Sequence, residues 1–204
     1  FKVSANPMAI TNYNEDELDE LIKLSNDYKI DYWYVVDSYG SLNQLEVKLL
    51  YDKCKSKLKY STLGIHLHNN MNNAFGNYEY LINNSNNDNI IIDATLYGMG
   101  RGAGNLQTEL VLISKKKNID SDNLLDMLKF IYNNLKPYYK NSYNEWGYDI
   151  DFFISGLLKI HPNYVVKMRD NNYHILKIIE ILFLLNKHYE KESKSLDLEL
   201  IYKF

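Results

Sequence analysis

The chain has 204 residues and a formal net charge of −3, from 23 basic and 26 acidic side chains. This length suits one domain or one and a half, and the near-neutral balance does not favour a nucleic acid or an anionic membrane as partner. Hydrophobic residues make up 46% of the chain, which excludes wholesale disorder. No apolar stretch reaches the ~18 residues of a membrane span. The single cysteine, Cys54, permits no internal disulfide, so we expect a cytoplasmic protein.

The first half of the chain repeats one pattern, in which a β-rich run is followed by turn residues and then by apolar residues at helical spacing. The predicted strands are residues 2–6, 32–37, 63–68 and 90–96. The predicted inward-facing helix residues are Leu18, Leu21, Ile22 and Leu24, then Leu42, Leu45, Leu49 and Leu50 behind an N-cap at Ser41, then Ala74, Tyr78 and Leu81, with a fourth helix over 106–113. Strands that alternate with helices predict a parallel sheet with right-handed crossovers. Each unit takes about 30 residues, one-eighth of the ~250 in a closed TIM barrel, so four units predict half a barrel.

The remaining sequence has no such alternation and predicts helices. Apolar residues recur at helical spacing within 124–135, 152–160 and 175–185, and Pro137 and Pro162 interrupt this part of the chain. We therefore predict an α/β fold, with parallel βα units forming the second half of a TIM barrel over residues 1–116 and an α-helical C-terminal extension over residues 117–204.

Two histidines stand at the end of the third predicted strand. His66 and His68 are two positions apart, so their side chains project to the same face of a strand. In a βα barrel the carboxyl ends of the strands hold the active site, and two adjacent imidazoles can supply two nitrogen ligands to one divalent metal ion. The alternative is that both histidines only cap the strand or bond to backbone carbonyls.

A glycine cluster follows the fourth predicted strand, where four of the nine glycines lie within residues 98–104. Glycine allows close approach of the backbone to a ligand, and the helix that follows has free N–H groups for an anion. Asn105 is either the N-cap of that helix or a group at a metal site. Arg101 stands out in this loop because the chain has only two arginines.

The first two predicted strands also end in polar residues. Ser38 can donate a hydrogen bond to a substrate carboxylate, and Asp37 can orient its neighbours, although a simple turn cap is the alternative for this pair. Asn6 is a further polar residue at the same rim. His161, in the helical extension, is predicted to be structural or on the surface. Cys54 has no histidine at a suitable spacing and is not predicted to be a nucleophile.

Together these residues resemble the C-terminal half of the metal-dependent aldolase/synthase TIM-barrel superfamily. That superfamily includes HMG-CoA lyase, the pyruvate carboxyltransferase domain, the isopropylmalate synthases and 4-hydroxy-2-oxovalerate aldolase, and the last is the most similar branch. The matching features are Asp37-Ser38-x-Gly40, His66-x-His68-Asn69 with Ala74 and Asn77 downstream, and Asp93-Ala94 leading through the glycine cluster to Asn105. Their order and spacing agree over residues 1–115, and a weaker likeness at 147–148 and 152–162 extends to the helical domain that follows the barrel in the hydroxy-oxovalerate aldolases.

The resemblance implies a carbon–carbon lyase that binds a divalent metal ion (Mn, Mg or Zn) through His66 and His68, with Asn105 at or beside the metal. Ser38 would hold the carboxylate of a 2-oxo acid, and the metal would stabilise the enolate formed when a carbon–carbon bond is broken or made. The candidate catalytic residues are Ser38 and Asp37, and the candidate substrate-binding residues are Asn6, Ser38, Gly100 and Gly102.

The chain also departs from the superfamily pattern. The first barrel strand of the superfamily carries an Arg and an Asp, and in the aldolases a His base follows, but none of these has a counterpart here. We therefore expect a chain that is inactive alone and whose partners are a 2-oxo acid, an aldehyde, and either the missing N-terminal half of the barrel or a second protomer. The start at Phe1 also favours a fragment. The alternatives are an acyl-CoA condensing synthase of the same superfamily and a non-catalytic half-barrel interaction module.

Overall fold

A computed structural model describes residues 1–85, 89–115, 121–141, 145–190 and 196–204. At the centre of the fold lies one sheet of four parallel strands in the order β1-β2-β3-β4. The strands are β1 Ser4–Ala5, β2 Tyr32–Asp37, β3 Thr62–Leu67 and β4 Ile91–Asp93. The predicted α/β fold with a parallel sheet in chain order is therefore confirmed.

Both outer strands are shorter than predicted. Beyond β1, Pro7 has no N–H with which to continue the pairing, and the chain enters a 3₁₀ turn at Ile10–Asn12. Beyond β4 the chain changes partner, because the N–H of Thr95 donates to the carbonyl of Leu106 at 3.0 Å. The sheet therefore gives way to loops at its carboxyl edge, above β2 and β3.

A helix follows each strand: α1 Glu15–Asp27, α2 Gln44–Lys57, α3 Ala74–Asn83 and α4 Thr108–Ser114. Capping boxes start α1 and α2, in which Asn14 and Asn43 each accept from the backbone N–H three residues on. The prediction of Ser41 as the cap of α2 is wrong, because the N–H of Ser41 donates to the side chain of Asp37 and α2 begins only at Gln44.

The buried face of α2 also differs from the prediction. Val47, Tyr51 and Cys54 are buried against the sheet, at spacings of four and three residues that place them on one face of a helix. Leu45 and Leu49 lie on another face and are 57% and 59% exposed. The prediction based on leucine spacing therefore assigned the wrong buried face to α2, because a tyrosine and the cysteine occupy buried positions where leucine was expected.

Five further α-helices are described in the C-terminal part outside residues 116–120, 142–144 and 191–195: α5 Ser121–Phe130, α6 Lys136–Asn141, α7 Ile150–Leu157, α8 Asn163–Asp170 and α9 Ile175–Tyr189. A π turn, Ile131–Leu135, joins α5 to α6, so Pro137 does not end the helical path. Pro137 is tolerated because it lies in the first turn of α6. Pro162 is the N-cap residue of α8. Within the described ranges, no helix is both long and apolar enough to cross a membrane.

Two clusters of buried hydrophobic residues stabilise the fold. One packs the helices on the sheet and includes Trp33, Val35, Ile65 and Leu106. The other packs α7, α8 and α9 together and includes Phe152, Val165, Met168, Ile181 and Leu185. Ala103 of the glycine loop belongs to the second cluster, so the helical part contacts this loop directly. The predicted division between residues 116 and 117 lies outside the described residues and stays a prediction.

Candidate functional site

A cavity of about 490 Å³ opens at the carboxyl edge of the sheet. It is lined by predicted site residues and by several that were not predicted: Asn6, Met8, Val36, Ser38, His66, His68, Asp93, Arg101, Asn105, His161 and Pro162. The first two strands, the third and fourth strands, the glycine loop and the turn before α8 all contribute to it. The structure thus brings Ser38, His66, His68 and Asn105 together.

The imidazoles of His66 and His68 lie side by side, with ring centroids 4.9 Å apart and ring planes at 70°. The Nδ1 of His66 is 3.0 Å from the carboxylate of Asp93, and the Nδ1 of His68 is 2.8 Å from the main-chain oxygen of Asp37. Both partners are acceptors, so the hydrogen-bond network places a proton on each Nδ1, and in the neutral imidazole the lone pair is then on Nε2. The two Nε2 atoms are therefore the nitrogens available to a ligand.

His68 is held in the neutral form. Its burial, assisted by the positive charge of Arg101, lowers the pKa of its imidazole to about 4 and outweighs the hydrogen bond to the carbonyl of Asp37, which acts in the opposite direction. Neutral imidazole is the form that binds metal ions. His68 does bond to a backbone carbonyl, as the alternative to metal binding predicted. That bond uses only Nδ1, so Nε2 is left for a metal ion.

Asn105 lies directly beside His68, and the two residues form an antiparallel bridge. Its Nδ2 donates to the carbonyl of Met99 at 3.1 Å, whereas its Oδ1 is buried and accepts no hydrogen bond from any described residue. The alternative role as an N-cap is wrong, because α4 begins at Thr108 and Gln107 precedes it. A buried acceptor without a donor costs about 1–3 kcal/mol, and a cation in the cavity would remove that cost.

The glycine loop shapes the surroundings of Asn105. A Cβ on Gly104 would lie 2.4 Å from the carbonyl oxygen of Gly98, and one on Gly100 would lie 2.4 Å from the Nδ2 of Asn105. Gly102 instead lies against Phe152, with a Cβ position 3.1 Å from that ring. Neither Gly100 nor Gly102, the two candidate substrate-binding glycines, is among the residues that line the cavity. Their contacts support the loop that carries Asn105.

Ser38 and Asp37 have different positions. Ser38 lines the cavity, and its Oγ accepts from the N–H of Ala9 at 2.7 Å and donates to no residue within the described ranges. The carboxylate of Asp37 is buried and accepts from the N–H groups of Ser41 and Leu42, at 3.1 Å each. Burial raises the pKa of Asp37 to about 6 against these bonds. Asp37 therefore has the geometry of the turn-cap alternative and reaches the site only through its carbonyl on His68.

Three polar residues of the cavity were not predicted as site residues. Asp93 stands opposite His66 in the pairing of β3 with β4, a register that the sequence alone does not show. Arg101 was noticeable only for the rarity of arginine. His161 was predicted to be structural or on the surface. Its Nδ1 does accept from the N–H of Asn163, and the turn between α7 and α8 also places its side chain in the lining of the cavity. Asn6 is where it was expected, with its Nδ2 3.3 Å from the Oγ of Ser4.

The fold is an α/β arrangement around a parallel sheet, and similarity to known proteins confirms the resemblance to the aldolase TIM-barrel superfamily. The chain is 34% identical over 97 residues to the 4-hydroxy-2-oxovalerate aldolase of Carboxydothermus hydrogenoformans, a match over 48% of this chain and 28% of that protein. A similar enzyme of Thermomicrobium roseum is 32% identical over 126 residues, which are 59% of this chain and 34% of that protein. The chain thus spans about a third of the length of the curated relatives it matches.

Solved structures give the same result. The N-terminal domain of a candidate aldolase from Bacteroides vulgatus superposes with a TM-score of 0.72 at 29% identity, over 88% of this chain and 57% of that one. The carboxyl transferase domain of Rhizobium etli pyruvate carboxylase shares the fold, with a TM-score of 0.61 at 10% identity over 93% of this chain and 33% of that one. No protein-family model matches the chain.

Proposed function

We propose that this chain forms part of a divalent-metal-dependent lyase, which breaks or makes a carbon–carbon bond next to a 2-oxo acid. The observation that carries the proposal is the arrangement of His66 and His68. Each has its Nδ1 engaged by an acceptor, and both rings line one cavity at the carboxyl edge of a parallel sheet. The similarity of the chain to aldolases over about half its length supports the same reaction type.

The donor set fits a divalent cation. His66 and His68 would supply nitrogen ligands, and the buried Oδ1 of Asn105 would supply an oxygen. Asp93 and the carbonyl of Asp37 hold the imidazoles in the required tautomers, as partners behind metal ligands commonly do. No group of three or more His, Cys, Asp or Glu side chains suited to a metal occurs within the described ranges. We propose that a carboxylate ligand comes from elsewhere in the intact enzyme, either an N-terminal half of the barrel or a second protomer.

The side chains of the cavity also provide the remaining chemistry. When bound, a divalent cation supplies Lewis-acid stabilisation of the negative charge on an enolate oxygen. Ser38 donates its free hydroxyl hydrogen to the carboxylate of the 2-oxo acid, and Asn6 adds an amide at the same rim. Arg101 brings a positive charge to the cavity, which favours an anionic substrate. With its single cysteine buried and free, the protein is compatible with the reducing cytoplasm in which we place the reaction.

The test is metal binding and aldol cleavage by the full-length protein. Calorimetric titration with Mn²⁺, Mg²⁺ and Zn²⁺ should show that His68→Ala weakens binding by more than about 100-fold, since loss of a ligand exceeds the 10–100-fold effect of second-sphere changes. Release of pyruvate from 4-hydroxy-2-oxovalerate should be lost in parallel. His188→Ala, which changes a histidine outside the cavity, is the matched control. An active His68→Ala variant that keeps its metal would contradict the proposal.

A further inference from the structure

The turn between α7 and α8 brings a third histidine to the cavity, from a part of the chain far from the sheet. His161 directly precedes Pro162, and a residue before proline has restricted backbone freedom. Both residues line the cavity, together with Arg101 of the glycine loop. The position of this turn is fixed by Asn70, which follows β3 and donates from its Nδ2 to the carbonyl of Phe152 in α7 at 3.1 Å.

One hydrogen bond determines which nitrogen of His161 carries the proton. The N–H of Asn163, the first residue of α8, donates to the Nδ1 of His161 at 3.2 Å. This N–H has no acceptor within the helix, so the imidazole satisfies it as a cap does. A ring that accepts at Nδ1 is neutral and carries its proton on Nε2. That Nε2–H forms no hydrogen bond within the described part of the chain.

Arg101 is held beside this ring by the same residue. Its Nη1 donates to the side-chain Oδ1 of Asn163, and it forms no ion pair with any described carboxylate. Burial, assisted by the positive charge of Arg101, lowers the pKa of His161, which keeps the imidazole neutral. Asn163 thus sets the tautomer of His161 with its backbone and orients Arg101 with its side chain. The result is a neutral donor and a cation on one wall of the cavity.

We propose that His161 donates its Nε2–H to the aldehyde oxygen of the second substrate, with Arg101 adding positive charge beside it. The inference rests on the proposed function, in which His66, His68, Asn105 and Ser38 are occupied with the metal and the 2-oxo acid. The aldehyde oxygen gains negative charge as the new carbon–carbon bond forms, and donors placed in advance at that oxygen stabilise the transition state. His161 keeps its proton throughout and only hydrogen-bonds the oxygen. The methyl proton of pyruvate passes to solvent when the enolate forms, and solvent water returns a proton to the alkoxide after the carbon–carbon bond has formed. The helical extension therefore contributes a residue to the aldehyde site.

The test separates the two halves of the reaction in the full-length protein. Pyruvate alone, in D₂O with Mg²⁺ or Mn²⁺, should exchange its methyl hydrogens, which mass spectrometry follows, and this step needs no aldehyde. Addition of pyruvate to acetaldehyde tests the complete reaction. We expect His161→Phe to lower kcat/KM for acetaldehyde by about 100-fold, the lower end of the ~100–1,000-fold range for loss of one transition-state donor, because Arg101 remains. Exchange should stay within about twofold of wild type. His161→Gln, whose amide N–H lies near the position of Nε2, should recover part of the loss, and His188→Gln is the control.

The possible failures are distinguishable. Equal loss of exchange and addition in His161→Phe would show that this residue does not act on the aldehyde, and unchanged addition would show that it does not act at all. Either result overturns this inference and leaves the proposed function standing. A wild-type protein with neither activity overturns both. Independently of any activity, ¹⁵N NMR of the imidazoles must show the Nε2–H tautomer at His161, and the Nδ1–H tautomer would overturn the assignment.

Discussion

Removal of the Arg169 side chain should strongly destabilise the C-terminal helices. Asp151, at the start of α7, is fully buried, and its carboxylate receives the Nε of Arg169 at 2.8 Å and the Nη2 at 2.6 Å. The same Nη2 reaches Asp149 at 2.6 Å, and the guanidinium lies 4.6 Å from the centre of the Phe152 ring. In Arg169→Met, the aliphatic volume remains but a buried carboxylate loses its counter-ion.

The size of the loss follows from these contacts. Breaking a buried ion pair by removing one partner costs about 3–5 kcal/mol. The lower end applies here, because the N–H of Phe152 still donates to Asp151 at 2.8 Å and Arg169 is partly exposed. About 3 kcal/mol is a large part of the 5–15 kcal/mol that stabilises a typical domain. Urea unfolding followed by circular dichroism should therefore show a lower midpoint with an unchanged slope.

A double-mutant cycle decides whether the uncompensated charge is the cause. Asp151→Asn added to Arg169→Met removes that charge, so the double variant should recover much of the lost stability, with a coupling energy above about 1 kcal/mol. A loss under about 1 kcal/mol in Arg169→Met would refute the reasoning. Strict additivity in the cycle would refute it too. The same experiment bears on the cavity, since α7 and α8 hold the turn that carries His161.

The remaining predictions concern the glycine loop, the cysteine and the metal. Gly104→Ala forces a Cβ to within 2.4 Å of the Gly98 carbonyl at a φ of +80°, so it should cost more than about 1 kcal/mol in urea unfolding, whereas Gly76→Ala in α3 should be neutral or stabilising. Burial raises the pKa of the Cys54 thiol to about 11. This thiol should therefore react with Ellman's reagent at pH 8 only after unfolding. Rapid reaction of the native protein would contradict its burial. EDTA should abolish aldol cleavage by the metal-loaded full-length enzyme, and Mn²⁺ should restore it; cleavage that resists chelation would contradict the proposed metal.

Much of the sheet could be predicted because its signals are local. The second strand is a nearly continuous apolar run, as buried parallel strands are. In the third strand, the alternation of side chains places His66 and His68 on one face. The predicted ranges of the two outer strands were too long, because the ends of these strands depend on pairing partners elsewhere in the chain. Thr95, just beyond β4, donates its N–H to Leu106, and no sequence pattern within the strand indicates this change of partner.

The candidate site was predictable where its residues lie at or just beyond the ends of the first three strands, as Asn6, Ser38 and the two histidines do. Asn105 could be placed near the histidines, but its role as a cap was an open alternative until the start of α4 was known. His161 could not be found, because its position depends on a contact between Asn70 and Phe152, which are 82 residues apart. The role of Asp37 also could not be predicted from the sequence, because a carboxylate at this position suits either catalysis or turn capping. Its hydrogen bonds to Ser41 and Leu42 distinguish the two roles and show turn capping.

The use of arginine connects the site with the stability of the fold. Of the 23 basic residues, 21 are lysines, and the two arginines are Arg101 and Arg169. Arg169 donates to two carboxylates from one rigid planar group and stacks on a ring, which a lysine ammonium cannot reproduce. Arg101 donates from its Nη1 to Asn163 and also lines the cavity, and its guanidinium carries several donors on one side chain. Arg169 lies in the last turn of α8, and Arg101 donates to Asn163, the first residue of the same helix. The two arginines of this lysine-rich chain therefore both stabilise α8, the helix whose first residue orients His161.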